Sequence, residues 1–411
     1  MIEKKSSLPI PSKVELKKTG NKFLLLRDNK PYYLKGAGGY EFLTDLKKHG
    51  GNSIRTWSYK NVNYVLDEAL KNGLTVIIGL EMGRERQGFN YNDKVAVEKQ
   101  FNTLKSEVNK YKHHPALLMW SIGNEVAFLA KNDEVWTAIN DIAKMIKEND
   151  PNHPTTTTLA GVPTDQVKSI IYKCPEIDII SVNAFQDLPY VPLKLRQAGW
   201  QGPYIISEWG STGYWEVKTT KWNAVIEETS TQKAMACKQR YESAIKKDND
   251  RCLGSYVFYW GHKQERTHTF FGLFGENGEK TATVDMLQYL WTSTWPVNKS
   301  PEITSLTIDN KVAEENIFLN PSSSHKSVVL ARDPENKLVN YQWEIFRESN
   351  EYHKTGGDLE AKPIRINQSI TQDANSISFD APAKKGPYRL FVYVLDGGKN
   401  MATANIPFYV R

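Results

Sequence analysis

From residue 32 onward the chain repeats one pattern: a short apolar, β-branched run, then a longer amphipathic stretch. The runs are YYLKGAG (32–38), NSIRTW (52–57), LTVIIGLEM (74–82), ALLMWSIGNE (116–125), TTTTLAG (155–161), DIISVNAF (178–185), YIISEWG (204–210) and LGSYVFYWG (253–261). Between them apolar residues recur at helical spacing, as in EFLTDLKKHG, NVNYVLDEALKNG, VAVEKQFNTLKSEVNKYKHH and VWTAINDIAKMIKEND, and again from 230 through YESAIKK. Several of these stretches stop at a glycine, as at Gly50 and Gly73, the residue that ends a helix in the left-handed conformation at least cost. Eight strand–helix units over roughly 265 residues match the count and length of a TIM barrel. The rival is an open doubly wound sheet, but no GxGxxG or Walker-type phosphate loop follows the first strand. We therefore expect an α/β chain built on a (β/α)8 barrel, with a β-ribbon over 14–34 before it and VDMLQYLWTSTW (284–295) as its last helix.

The texture changes near Pro296. PEITSLTIDNK, SHKSVVLARDPENKLVNYQWEIFRES and SISFDAPAKKGPYRLFVYVLDGGKNMATANIPFYVR alternate at period two and carry Asp-Pro, Gly-Gly and Asn turn signals. About seven short strands in ~115 residues suggest a small all-β immunoglobulin-like or fibronectin-like sandwich. The expected division is a barrel with its ribbon over 1–296 and a sandwich over 297–411, two domains being the ordinary number for this length. Packing as a rigid appendage is the simpler role for the sandwich, polysaccharide binding the alternative.

Several function classes are disfavoured by composition. The formal charge of +6 is mild, and bases alternate with acids as in ELKK and SAIKKDNDR, so no nucleic-acid partner is expected. Cys174, Cys237 and Cys252 form no metal-spaced pair, and no metal or organic cofactor is expected. No apolar run reaches the ~18 residues a membrane span needs. The start, MIEKKSSLPIPSK, lacks a signal-peptide core. The location is left open between a secreted, periplasmic or cell-surface protein, if a leader was removed before this start, and otherwise a cytoplasmic one. Aromatics make up 11% of the chain, and several sit at strand ends, where flat faces with polar rims suit a sugar cleft.

In a TIM barrel the C-terminal ends of the strands form the mouth. Here strand two ends in Arg55 and Trp57, strand three in Glu81, and strand four in Asn124-Glu125. Strand six ends in Asn183, strand seven in Glu208-Trp209, and strand eight in Tyr259-Trp260 with His262 beyond. Glu125 and Glu208 each follow an unbroken apolar run, where a carboxylate is costly unless used or paired. Strands four and seven face each other across a barrel. That can bring two carboxyls to the ~5–5.5 Å of a double-displacement glycosidase, in which one attacks the anomeric carbon and the other moves protons.

WSIGNE (120–125) and ISEWG (206–210) resemble the acid/base and nucleophile signatures of clan A glycoside hydrolases, and GGNSIRTW (50–57) resembles the strand-two segment of family 2 barrels. The resemblance covers about residues 15–295 and implies a retaining enzyme with Glu125 as acid/base and Glu208 as nucleophile. It further implies that Asn124 bonds the sugar 2-hydroxyl, that Arg55 lies under the nucleophile and keeps it ionised, and that Trp260 is the platform beneath the reacting sugar. The chain departs from family 2 habit in two ways. A ribbon replaces the jelly roll and immunoglobulin-like domain that precede most such barrels, and Phe185 stands where many relatives carry a Tyr or His bonding the nucleophile. Both departures point away from an ordinary β-galactosidase or β-glucuronidase and toward the compact β-glucan-active families. The expected substrate is a neutral β-glucan or its oligosaccharides.

The alternatives are a transglycosylase using the same glycosyl-enzyme, and a non-catalytic carbohydrate-binding protein, which the two intact carboxylates argue against. The remaining mouth residues (Trp57, Glu81, Asn183, Trp209, Tyr259 and His262) are read as substrate-binding. For Glu81, pairing with Arg55, Arg84 or Arg86 is an equal alternative. Glu265 is read first as a surface-loop residue, His113-His114 as a helix cap rather than a metal pair, and the threonines at 155–158 as strand formers without chemistry.

Overall fold

A computed structural model describes residues 11–348, 360–367 and 370–411. Its centre is a closed barrel of eight parallel strands: Leu34–Gly38, Ser53–Arg55, Thr75–Leu80, Leu117–Asn124, Thr155–Ala160, Ile179–Asn183, Tyr204–Gly210 and Cys252–Phe258. Each of the eight apolar runs supplies one strand, because residues buried on both faces must be apolar throughout. Ends are less legible. Strand eight stops at Phe258, so Tyr259 and Trp260 lie just beyond it. The last helix is Ala282–Thr292, ended by Ser293 in the left-handed region (φ 62°). The third helix begins at Lys94 because the Asp93 carboxylate accepts from the Val95 and Ala96 amides. The three cysteines are buried and form no disulfide, and no described helix is long and apolar enough to cross a membrane.

The chain divides into two compact units, 1–209 with 240–257 and 210–239 with 258–411. In the first, the expected ribbon is a three-stranded antiparallel sheet, Val14–Thr19, Lys22–Arg27 and Lys30–Pro31. Its Val14 and Leu25 join one apolar cluster with Leu34, Leu118, Ile179, Ile205 and Leu253, which lie at the beginnings of barrel strands. The ribbon thus closes the end of the barrel opposite the mouth. Further along, the interior turns polar. Ser53 Oγ bonds Tyr256 Oη at 2.8 Å, and Thr156 Oγ1 bonds Ser181 Oγ at 2.6 Å. Gly36 makes the room for Tyr256, since a Cβ there would stand 2.3 Å from its ring. The threonines of strand five are structural: Thr157 donates to the Ile122 carbonyl at 2.8 Å.

The second unit holds a four-stranded and a five-stranded sheet facing each other. Ile303, Val329 and Phe379 from the first interdigitate with Ile345, Leu390, Val392, Ile406 and Phe408 from the second. Tyr388, near the start of its strand, donates to the Lys384 carbonyl at 2.7 Å, a bond immunoglobulin-like sandwiches use to fix a corner. The sandwich is tied to segment 210–239 by a buried polar network. Glu227 accepts from Lys233 Nζ at 2.6 Å, Thr267 Oγ1 at 2.6 Å and Asn405 Nδ2 at 2.7 Å. Arg389 adds bonds to Glu348, Asn405 and the Val225 carbonyl. Burial pushes Glu227 up, but Lys233 and the donors outweigh it and hold the carboxyl below its ordinary value.

His268 is buried in this unit, 4.6 Å from the Phe391 ring. Tyr393 Oη donates to Glu344 at 2.9 Å, so His268 Nε2 donates to Tyr393 Oη at 2.5 Å. Burial, opposed by Glu227, pulls the imidazole down from 6.5 to about 4. A folded-state value below the unfolded one means the unfolded chain binds the proton first. Stability should therefore be full above about pH 6.5 and fall between 6.5 and about 4, by at most about 3 kcal/mol. Urea denaturation of wild type and His268→Phe across that window checks this. The variant should lose clearly less stability on acidification, and parallel losses would assign the acid sensitivity to other groups.

Candidate active site

The barrel mouth is organised around a buried guanidinium. Arg55 is 1% exposed. Its Nη1 donates to Ser207 O at 2.8 Å, Asn183 Oδ1 at 3.2 Å and Glu208 Oε1 at 3.2 Å, and its Nη2 donates to Asn124 Oδ1 at 2.9 Å. One side chain from strand two thereby binds the ends of strands four, six and seven. Burial lowers the Arg55 pKa, while Glu208 and then Glu125 pull it back up, so the guanidinium keeps its charge.

Glu208 lies at the end of strand seven, 8% exposed, and its Oε1 also accepts from the Trp57 indole at 2.6 Å. Glu125 stands one residue past strand four. Asn183 Nδ2 donates to its Oε1 at 2.9 Å, while Asn183 Oδ1 accepts from Arg55 and, at 2.7 Å, from Ser207 Oγ. A single amide therefore links the Glu125 carboxylate to the guanidinium that holds Glu208. The backbone at Glu125 is left-handed (φ 51°), a conformation that costs a non-glycine residue of order 1 kcal/mol or more. The turn is held by the Glu125 amide donating to the Thr158 carbonyl at 3.0 Å and by Arg86 Nη1 donating to the Glu125 carbonyl at 2.5 Å. Gly123 precedes it at φ 69°, the conformation glycine adopts without a Cβ clash.

The structure brings together Arg55, Trp57, Asn124, Glu125, Asn183 and Glu208. The other residues expected at the mouth make further contacts. Glu81 pairs with Lys60 at 3.6 Å and accepts from Ser58 Oγ at 3.1 Å, not from the arginines named for it. The expected ring faces of Trp209 and Trp260 are a correction: both indoles are fully buried. Trp209 lies against Tyr241 at 5.7 Å, and Trp260 packs on Phe274 at 5.1 Å and Trp291 at 6.4 Å, so neither leaves a face open to a sugar. Tyr259 is half-buried in the second unit. His262 lines a cavity of about 210 Å³ within that unit, with His268, Glu276 and Tyr393. Glu265 is buried rather than on the surface, 3.3 Å from Lys263. His114 Nδ1 accepts from the Ala116 amide at 3.1 Å, and no cluster able to hold a metal occurs among the described residues. Sequence reasoning missed Ser207 and the part of Arg86, whose bonds run to groups far along the chain and leave no local signal.

The family model for glycosyl hydrolases family 2, TIM barrel domain, matches residues 41–292, well over half of the chain. The chain belongs to glycosyl hydrolase family 2. This is a retaining family of clan A. Curated relatives include a β-glucuronidase of Paenibacillus borealis, 27% identical over 48% of this chain and 38% of its own length. Another is the β-glucuronidase of Chlorocebus aethiops, 26% identical over 47% of this chain and 33% of its own. The chain thus spans well under half the length of these relatives. In fold it resembles the β-D-glucuronidase of Dictyoglomus thermophilum, with TM-score 0.54 and 20% identity over 69% of this chain and 54% of that one. The family 2 β-galacturonidase of Eisenbergiella tayi superposes with TM-score 0.53 and 17% identity over 69% and 55%.

Arg55→Lys tests the organising part of the guanidinium. A lysine ammonium is a point charge with three donors and cannot serve four acceptors spread over three strands. Losing several buried bonds at once should cost about 2–4 kcal/mol, read by chemical denaturation. An unchanged midpoint would mean that the strand ends hold their places without it.

Proposed function

We propose that this family 2 chain is a retaining β-glycoside-active enzyme in which Glu208 is the nucleophile and Glu125 the acid/base. The observation that carries the reading is the Asn183–Arg55 link between the two carboxylates at the ends of strands four and seven. In the first step a Glu208 oxygen bonds the anomeric carbon as the glycosidic bond breaks, and Glu125 gives its proton to the departing oxygen. In the second, Glu125 takes a proton from water, whose oxygen bonds the anomeric carbon and releases Glu208. Arg55 and the Trp57 N–H favour the ionised nucleophile before attack and favour its departure afterwards. Asn124, held by Arg55, is placed for a substrate hydroxyl.

For the substrate we propose a neutral β-glucan or its oligosaccharides. A uronate carboxylate calls for a cation with donors to spare. Arg55, the cation in contact with Glu208, is committed to four acceptors. The names of the curated relatives make a β-glucuronide the second reading. Comparing aryl β-glucoside with aryl β-glucuronide separates the two, and size analysis of products from linkage-defined β-glucans separates hydrolysis from transfer to a sugar.

The roles of the two carboxylates are tested by azide rescue. Glu208→Ala should abolish glycosyl-enzyme formation with every substrate. Glu125→Ala should keep the first step with an activated aryl glycoside while losing on the order of 10²–10⁴-fold on glycan. Azide should give the β-azide with Glu125→Ala and the α-azide with Glu208→Ala, read by proton NMR. Exchanged stereochemistry would reverse the roles, and near-normal glycan cleavage by either variant would place the chemistry elsewhere.

A further inference from the structure

The indole of Trp57 makes the shorter of the two described bonds to Glu208, 2.6 Å against 3.2 Å from Arg55, and both converge on Oε1. An indole N–H is a donor only. It neither accepts nor titrates in the range where enzymes work, so it can serve only a carboxylate oxygen that carries a lone pair. The ring is placed by its surroundings. The Arg55 guanidinium lies 5.3 Å from the ring centroid, which adds an attraction between cation and ring face. Gly38 leaves space for the six-membered edge, since a Cβ there would stand 3.0 Å from Cη2. Gly79 lets the backbone of strand three approach, since its Cβ would stand 2.5 Å from the Trp57 carbonyl carbon. Phe185, two residues beyond the end of strand six, has no side-chain donor to offer.

We infer that Trp57, read from sequence as a sugar contact, is the positioning residue of Glu208: its N–H fixes the plane of the carboxylate and stabilises the ionised form through a bond that does not itself change with pH. The inference rests on Glu208 being the nucleophile. Among the described contacts, the charged groups about this carboxylate include Arg55, in direct contact, and Glu125, linked to Arg55 through Asn183; the phenol of Tyr256 lies near Arg55 in the barrel interior. Because Arg55 holds its charge throughout, loss of the indole bond should show as a displaced Glu208 titration rather than as a new titrating group. The same bond supports the second step, when Glu208 leaves as a carboxylate, so its loss should slow turnover more than substrate binding.

The test follows Glu208 itself. Protein labelled with ¹³C at the glutamate carboxyls is titrated by NMR, and the Glu208 resonance is assigned as the one missing from Glu208→Gln. Two replacements remove the donor: Trp57→Phe, and Trp57 replaced by 3-benzothienylalanine, which keeps the shape of the indole and puts sulfur in place of N–H. The second keeps the test decisive if Trp57→Phe folds poorly. In both, the Glu208 titration should move up by about one pH unit or more. The acid limb of kcat/KM for an aryl β-glycoside should move with it, and kcat should fall about tenfold or more with KM little changed. An unmoved Glu208 titration overturns the inference. So does a moved titration with an unmoved acid limb, which would make the bond structural only, and so does a loss confined to KM, which would make Trp57 a sugar contact. Wild type that forms no glycosyl-enzyme at Glu208 with a 2-deoxy-2-fluoro aryl glycoside would defeat the functional reading instead, and the NMR titration decides the Trp57–Glu208 pairing without any substrate.

Discussion

The mouth of this barrel depends on placing one permanent positive charge where water does not reach. A buried guanidinium is tolerable only if its donors are matched, and Arg55 finds four acceptors on three other strands. Those acceptors are constrained in turn. Ser207 must present its carbonyl inward, Asn124 and Asn183 must turn their amide oxygens toward the cation, and Glu208 must turn a carboxylate oxygen to it. Asn183, its oxygen committed, has its amide nitrogen left for Glu125. The relative placement of the two carboxylates follows from satisfying one arginine.

Such a cluster needs rigid support. The first unit is sealed at the far end by Val14 and Leu25 of the ribbon, packed among the starts of the strands. Polar layers between that seal and the mouth bond to one another, as Ser53 does to Tyr256 and Thr156 to Ser181. Among the described barrel strands the one buried hydroxyl without a protein partner is that of Ser255, which alternation puts on the face opposite the inward Tyr256. The second unit uses the same economy of polar groups. Glu227 and Arg389 join a loop segment to the sandwich through donors and acceptors that are mutually matched, which makes that junction specific as well as buried.

Much of this was legible because it is local. A strand covered on both faces must be apolar along its length, and the eight runs declare themselves for that reason. A sandwich strand alternates, and the change at Pro296 is equally plain. The ends of elements were less so: a helix stops where one residue turns left-handed, as at Ser293, and sequence says little about which serine will do it. Aromatic residues at strand ends were the least legible. Trp57, Trp209 and Trp260 are alike as letters, yet one donates to a carboxylate and two are core.

By itself the sequence determined the barrel, the sandwich after it and the positions of two carboxylates at the ends of strands four and seven, since periodicity and burial act over a few residues. Tertiary structure alone decided what each mouth residue touches. Trp57 and Glu208 are 151 positions apart, and Arg55 and Asn183 are 128 apart. Their bonds exist only because closing an eight-stranded barrel carries the ends of distant strands to within hydrogen-bond reach, and no pattern along the chain encodes which donor will meet which acceptor once it has closed.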